Sequence, residues 1–282
     1  MIIYLNGQYI EEKDATLSPF DHGFLYGIGV FETFTSLAGQ VFLLDWHLER
    51  LNQSLRDLCI ESTIEKPFVL DIIHTLLNQN NIANGHARIR FNVSAGKGKG
   101  FSADPYEEPV IFVMISPFRP KSLLNEKQGV ILKTRRNTPE GPRRLKSHHY
   151  MNNLLAKREI GNDPSVEGIF LTKEHVVAEG ITSNVFWRKE DVIYTPALDT
   201  GILNGITRRY CIETLPALGV SLMEGRYPVS HMLSGDEVWM TNSVQGIVPF
   251  RSIGEIVLLK NNRTISTKLR TQYTKERLEH KE

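Results

Sequence analysis

RRLKSHHYMNNLLAKREI (residues 143–160) sets one lysine, Lys146, between two arginines and two histidines, directly ahead of a helical stretch. A helix start ordinarily gathers acids, because the N-terminal end of a helix carries partial positive charge. This one gathers cations. Two readings stand: a basic surface loop that meets solvent or an acidic neighbour, or an amine that is being driven to lose its proton. A lysine that attacks carbonyl carbon has to be partly neutral. Burial and nearby cations, here Arg143, Arg144, His148 and His149, both work in that direction.

VVAEGITSNVF (176–186) bears on the choice. Glu179 lies in an apolar β run, followed by Gly180 and then Thr182, Ser183 and Asn184. A carboxylate in such a run requires a partner, since an unpaired buried charge is expensive. A protonated pyridine nitrogen is one such partner; an exposed strand end is the plain alternative. TGILNGITRRYCIE (200–213) turns tightly at Asn204-Gly205 and opens a helix at Ile206-Thr207. Free backbone N–H groups and the helix dipole at such a start suit a phosphate, while a turn capped by Thr207 is the ordinary use. MTNSVQGIVPF (240–250) presents Thr241, Asn242 and Ser243 as a second cradle of hydroxyl and amide groups. In DWHLERL (45–51) Arg50 stands off the leucine stripe, either solvated or as a bidentate phosphate ligand. An amine for a Schiff base, an acid for a pyridinium and donors for a phosphate are the parts that pyridoxal phosphate requires.

The chain around these stretches is ordinary for a globular protein. It has 282 residues, 41% hydrophobic and 23% charged, enough for one large domain or two ordinary ones. Lys and Arg number 33 against 32 Asp and Glu, so no overall field points to nucleic acid or membrane, and any anion must be held by local groups. Cys59 and Cys211 sit in unrelated contexts without CxxC spacing and read as two buried thiols in a reducing compartment. No metal site is expected. The N-terminal MIIYLNGQYIEEKDA reads as strand and turn rather than signal peptide, and no apolar run is long enough to span a bilayer. The expected location is the cytoplasm.

Patterning gives hairpins at Asn6-Gly7 and Ala38-Gly39, and a helix over 45–60 with Asp45 as N-cap and apolar Leu48, Leu51, Leu55 and Leu58. A second helix covers 66–82. HARIRFNVSAG (86–96) alternates, with Ala87, Ile89, Phe91 and Val93 facing one way, and PVIFVMIS (109–116) reads as a buried strand. The two prolines of PFRPKSLLNEKQG (117–129) mark a boundary: a small domain over 1–118, a linker at 119–126 and a larger domain over 127–282. The second half mixes strands (GVILKTRRN, EGIFLT, VVAEGITSNVFWRK, DVIYTP) with helices near 149–160, 207–218 and the C-terminal tail. No βαβ rhythm appears, so the fold class is α+β with mixed sheets.

SPFDHGFLYGIGVFETF, LLDWHLERLNQSL, RRLKSHHYMNNLLAKRE, VAEGITSNVFW, GILNGITRR and EVWMTNSVQGIVPF, taken in order, resemble the fold-type IV, class IV aminotransferase-like family of pyridoxal-phosphate enzymes over nearly the whole chain. The resemblance implies a small N-terminal α/β domain and a larger C-terminal one with the cofactor in the cleft. It also implies a homodimer whose active sites are completed across the interface. Lys146 would carry the cofactor and Glu179 pair with its ring nitrogen. Arg50, the backbone at Ile206 and Thr207, and Ser243 would hold its phosphate.

Three activities occur in that family: branched-chain aminotransferase, D-amino-acid aminotransferase and 4-amino-4-deoxychorismate lyase. SPFDHGFLYGIGVFETF, RRNTPEG and LKSHHYMNN look most like the lyases of Bacillus-type bacteria. Phe31, followed by Glu32-Thr33, replaces the tyrosine settings of the transaminases. The Pro-Arg-x-His carboxylate trap of the D-specific enzymes gives way to AGKGKGF (95–101). The expected reaction eliminates pyruvate from 4-amino-4-deoxychorismate and leaves 4-aminobenzoate; the alternative is a D-amino-acid or branched-chain aminotransferase. Phe31, Arg90, Lys97 (with Lys99) and Arg144 are the candidates for meeting the small substrate and its carboxylates. The glycines at 96, 98 and 100 would let the lysine-bearing loop close, unless it is simply a solvated loop.

Overall fold

The computed structural model describes residues 1–100, 102–119, 125–258 and 264–279. The chain forms two compact units: Met1–Lys121 with Leu145–His149 and Arg277–Glu282, and Ser122–Arg144 with Tyr150–Glu276.

The first unit opens with a hairpin of β1 (Ile2–Leu5) and β2 (Gln8–Glu11), turned by Asn6 and Gly7 at φ 43° and 86°. Positive φ at both turn residues matches the twist of the flanking strands, which is why Asn-Gly serves there. A short helix α1 (His22–Tyr26) precedes β3 (Gly29–Leu37) and β4 (Gln40–Val41); α2 (Leu44–Asp57) and α3 (Lys66–Gln79) follow, then β5 (Ala87–Ser94) and β6 (Val110–Pro117). The sheet order is β2-β1-β6-β5-β3-β4, antiparallel throughout. Its core joins Leu44, Leu48, Leu51 and Leu55 of α2 and Ile72, Ile73 and Leu76 of α3 to Val30 and Phe34 of β3 and to Ala87, Ile89, Phe91 and Val93 of β5. Burying such apolar stripes drives the assembly, at about 25 cal/mol per Å² of apolar surface removed from water. The cross-strand register Glu32↔Phe91, Phe31↔Asn92 and Thr33↔Arg90 then sorts the polar residues. Glu32 lies on the helix-covered face; Phe31, Arg90 and Asn92 lie on the other.

In the second unit, β7 (Lys127–Ile131), α4 (Met151–Ile160), β8 (Val166–Leu171), β9 (Val177–Gly180), β10 (Asn184–Lys189), β11 (Val192–Pro196) and α5 (Ile206–Thr214) come first. Then follow β12 (Ser221–Gly225), α6 (Val229–Leu233), β13 (Glu237–Asn242), β14 (Gly246–Ile253), β15 (Ile256–Val257) and α7 (Ile265–Glu279). The sheet runs β12-β11-β10-β13-β14-β7-β8-β9, with β15 on β14. It mixes parallel pairs (β11–β12, β14–β7, β7–β8) with antiparallel ones, so the fold is α+β with mixed sheets as the patterning indicates. Fully buried aromatics fill it; Phe186 and Trp239 stack at 5.6 Å.

Several expectations need correction. The unit division is not a single cut: Leu145–His149 clusters with the first unit because Ser147 bridges to Val30, while the Arg277 guanidinium donates to the Thr35 hydroxyl and lies 5.6 Å from the Phe118 ring. Of the linker expected at 119–126, residues 120–124 lie outside the described ones. Asp45 is not an N-cap. Leu44 is drawn into the core and starts α2, so Leu43 takes the cap position at φ 59° and Asp45 pairs with Lys66 at 3.1 Å. PVIFVMIS is half-buried rather than buried, with Val113 and Ile115 inside and Met114 exposed. VVAEGITSNVFWRK is two strands, since the chain turns at residues 181–183. The strand in GVILKTRRN ends at Ile131. Both cysteines are free, but Cys59, just past α2 at φ 52°, is exposed, and only Cys211 is buried.

Candidate active site

Two groups of side chains stand out, one in each unit. In the first, backbone pairing sets the lysine. Phe31 N–H donates to the Lys146 carbonyl and His148 N–H to the Gly29 carbonyl, both at 2.9 Å, holding 146–148 extended along β3. Alternate residues of an extended segment share a face, and Lys146 and His148 both turn onto the buried Phe31 ring. Lys146 Nζ is 4.6 Å from its centroid, and the His148 ring stacks on it at 6.3 Å. The Arg90 guanidinium covers the same ring at 3.6 Å, its Nε donating to Asn92 Oδ1 at 2.9 Å; Asn92 in turn donates to the Phe112 carbonyl. Burial, helped by Arg90, pushes the His148 imidazole below its usual value. The cations around Phe31 therefore include Arg90, which is 56 positions from Lys146 in sequence, and not only the flanking residues of RRLKSHH.

On the opposite face of β3, Glu32 accepts from Arg50 Nε and Nη2 and lies against His47 Nδ1, each at 2.7 Å. Lys97 and Lys99 are exposed. Two of the three glycines in their loop are closely approached by neighbours. A Cβ at Gly96 (φ 74°) would meet the Glu108 carbonyl oxygen at 2.0 Å, and one at Gly98 would meet the His22 ring at 2.2 Å. They permit close packing.

The second unit centres on Glu179, 4% exposed on β9 and therefore not at an exposed strand end. Its Oε1 accepts from Arg136 Nε at 2.8 Å and lies 3.8 Å from Arg144 Nε. Oε2 accepts from Leu203 N–H at 3.0 Å and from Asn184 Nδ2 at 3.4 Å. Arg136 Nη1 donates to Asn152 and Asn153 of α4, so the guanidinium is held from both ends. Burial, with Arg136 close by, pushes Arg144 down to about 10, still charged at neutral pH. Arg144 also donates to the backbone carbonyls of Gly201 and Asn137. A carboxylate embedded this way is fixed in direction, with both oxygens engaged.

Ile206 and Thr207 open α5 behind Gly205, whose missing side chain cannot cap the first N–H groups. The helix packs on β13, and Thr207 Oγ1 lies 3.5 Å from the Tyr273 hydroxyl. At the end of β13, Asn242 Oδ1 accepts from Val244 and Gln245 N–H and shapes the turn that carries half-buried Ser243. The buried Thr241 Oγ1 has no hydrogen-bond partner among the described residues. The hydroxyls, with the N–H groups at the start of α5 that no side chain of its N-cap residue caps, make an acceptor-seeking set.

Gly205 links this set to Glu179. A Cβ there would meet Asn184 Oδ1 at 2.1 Å, while Asn184 Nδ2 holds the Leu203 carbonyl at 2.8 Å. Its φ of −70° is open to any residue, so the obstacle is contact alone. Gly205→Ala is expected to destabilise the protein by about 1–3 kcal/mol, the usual penalty for overpacking, read from denaturant unfolding.

The family profile described as Amino-transferase class IV matches residues 29–253, spanning both groups. The chain belongs to the class IV aminotransferases. Within that family it is 55% identical to aminodeoxychorismate lyase of Bacillus subtilis over 276 residues, 98% of this chain and 94% of the relative. It is 34% identical to a putative branched-chain-amino-acid aminotransferase of Methanocaldococcus jannaschii, covering 97% of this chain and 95% of that one. Among solved structures, 4-amino-4-deoxychorismate lyase of Pseudomonas aeruginosa superposes with a TM-score of 0.82 at 25% identity, covering 97% of this chain and 98% of that one. The mixed α+β architecture is that of this class IV family.

Sequence reasoning singled out Lys146, Glu179, Arg50, Phe31 and Arg90 but passed over the roles of Glu32, His47, Arg136 and Asn92. Two signals were available. Glu32 is a charge in an apolar strand and needs partners; His47 and Arg50 are three apart on a helix and share a face. Arg136 stood within the quoted RRNTPEG, but nothing local marked it as the partner of Glu179.

Proposed function

We propose that this class IV aminotransferase family member is a pyridoxal-phosphate-dependent 4-amino-4-deoxychorismate lyase, releasing pyruvate and 4-aminobenzoate. The observation that carries this reading is the 55% identity with the Bacillus subtilis lyase over 98% of the chain. The residues fit the cofactor chemically: an amine held along a strand, a buried carboxylate clamped by arginine, and a set of N–H and hydroxyl groups with an unsatisfied Thr241 Oγ1. When bound, pyridoxal phosphate supplies an aldehyde for amines and a sink for electrons.

In this reading Lys146 Nζ would be the attachment point for the cofactor and the base that takes the proton from the substrate's C4. Glu179 would pair with the ring nitrogen. Arg50, the backbone at Ile206 and Thr207, and Ser243 would hold the phosphate. Arg90, with its guanidinium plane set by Asn92 and Phe31, receives a substrate carboxylate, joined by Lys97, while Phe31 packs against the substrate ring. Arg144, engaged with Glu179 and two backbone carbonyls, supports the carboxylate more directly than the substrate. The bonds broken are C4–H and the neighbouring C–O bond to the enolpyruvyl group. The C4 proton passes to Lys146 Nζ, the C–O electron pair leaves with enolpyruvate, and that group takes up one proton to become pyruvate. No net proton is released, and aromatisation drives the step without a keto-acid acceptor.

We further propose a cytoplasmic homodimer. Supporting surfaces are Phe20, Phe24 and Leu25 in the first unit and Met151, Leu154 and Leu155 in the second, all exposed and apolar. Among the described residues no helix is long and apolar enough to cross a membrane.

The 34% identity to a putative branched-chain aminotransferase favours transamination as the second reading. Incubation with 4-amino-4-deoxychorismate and no keto acid is expected to give pyruvate and 4-aminobenzoate in equal amounts. Glutamate formed from 2-oxoglutarate with leucine or D-alanine, and no 4-aminobenzoate, would instead establish the transaminase.

A further inference from the structure

Glu32 is 1% exposed in the middle of β3, where an unmatched carboxylate would be prohibitive. Burial works to raise its pKa, yet the charge of Arg50 and the hydrogen bond with His47 hold it well below the ordinary carboxylate range. The Arg50 fork meets both oxygens, Nε on Oε1 and Nη2 on Oε2, each at 2.7 Å. This is the bidentate geometry that fixes a guanidinium plane as well as its position. His47, also 1% exposed, closes the set through Nδ1 at 2.7 Å from Oε2. Burial keeps its imidazole below the usual value, so at neutral pH it is a neutral donor to a carboxylate that can only accept. His47 and Arg50 stand on one face of α2, and Glu32 reaches both from the strand beneath. The trio sums to no net charge, with the guanidinium at its outer edge, 15% exposed.

We infer that Glu32 and His47 are positioning residues for a phosphate site: they hold the Arg50 guanidinium in one orientation so that a phosphate monoester meets a preset charge. The inference rests on the assignment of Arg50 to the cofactor phosphate. A free arginine side chain loses much rotamer freedom on binding an anion; one already locked to a carboxylate has lost it during folding. The device therefore acts on the phosphate-bearing ligand and leaves recognition of the pyridine ring unchanged.

The experiment compares dissociation constants for pyridoxal 5'-phosphate and for pyridoxal, which lacks the phosphate, by equilibrium dialysis on cofactor-stripped protein. The ratio of the two isolates the phosphate. Arg50→Gln is expected to collapse that ratio; if it does not, the phosphate assignment fails and the inference with it. Given that collapse, Glu32→Gln is expected to reduce the ratio by about ten- to a hundredfold, the range for a lost charged hydrogen bond, with pyridoxal affinity unchanged. His47→Gln is expected to reduce it less, and carries the test alone should Glu32→Gln not fold. An unchanged ratio in the folded variants, or an equal loss for both ligands, would overturn the positioning role while leaving the Arg50 assignment intact.

Discussion

Lys146→Ala is expected to lower lyase turnover by at least about a thousandfold, since one substitution removes both a covalent attachment point and a proton acceptor. The same variant should lose the yellow absorbance of the purified protein. Borohydride treatment should no longer add the cofactor's mass to the peptide that contains residue 146. The fold should survive, because what holds 146–148 to β3 is backbone: Phe31 N–H to the Lys146 carbonyl and His148 N–H to the Gly29 carbonyl. Alanine keeps both. Among the side chain's own contacts is the one with the Phe31 ring, about 0.5–1 kcal/mol for a cation on an aromatic face. A variant that keeps its colour and turns over normally would remove Lys146 from the chemistry altogether.

The second large effect concerns Glu179. Glu179→Ala leaves the Arg136 guanidinium, 7% exposed, facing a cavity with its charge unmatched. Breaking a buried pair from one side typically costs about 3–5 kcal/mol, more than the pair contributes when intact. Unfolding in urea should report that loss. Glu179→Gln separates the two roles of the residue. The amide keeps an acceptor for Arg136 or Leu203 and nearly the same volume, so much of the stability should return. The charge is gone, however, and turnover should stay down by about a hundredfold or more, as when a preorganised electrostatic group is removed from other active sites. Full activity in Glu179→Gln would mean that the negative charge at this position is not used. Arg136→Met offers the converse comparison, since it strips the carboxylate of its 2.8 Å partner and leaves Arg144 at 3.8 Å as the nearest compensating charge.

These two residues show how far local reading reaches. Lys146 and Glu179 were visible because each breaks its surroundings: a cation cluster before a helix, a carboxylate in an apolar run. The strands and helices that carry them were visible because burial follows the periods 2 and 3.6, as Ala87, Ile89, Phe91 and Val93 illustrate. Failures fell where packing overruled a local preference. Asp45 is a good cap by type, yet Leu44 fits the core better from inside the helix, and the helix began a residue early. Gly96 and Gly98 suggest a hinge by composition, but the neighbours that approach them, Glu108 and His22, make them packing positions.

By itself the sequence determined the order of elements, the α+β class, the family likeness and the need for a partner at every charge set in an apolar run. Tertiary structure alone decided which partners those were. Arg136 reaches Glu179 across 43 positions, and Arg50 reaches Glu32 across 18. A hydrogen bond depends on donor and acceptor lying within about 3 Å, and that distance is set by how sheets and helices pack, which no local period encodes.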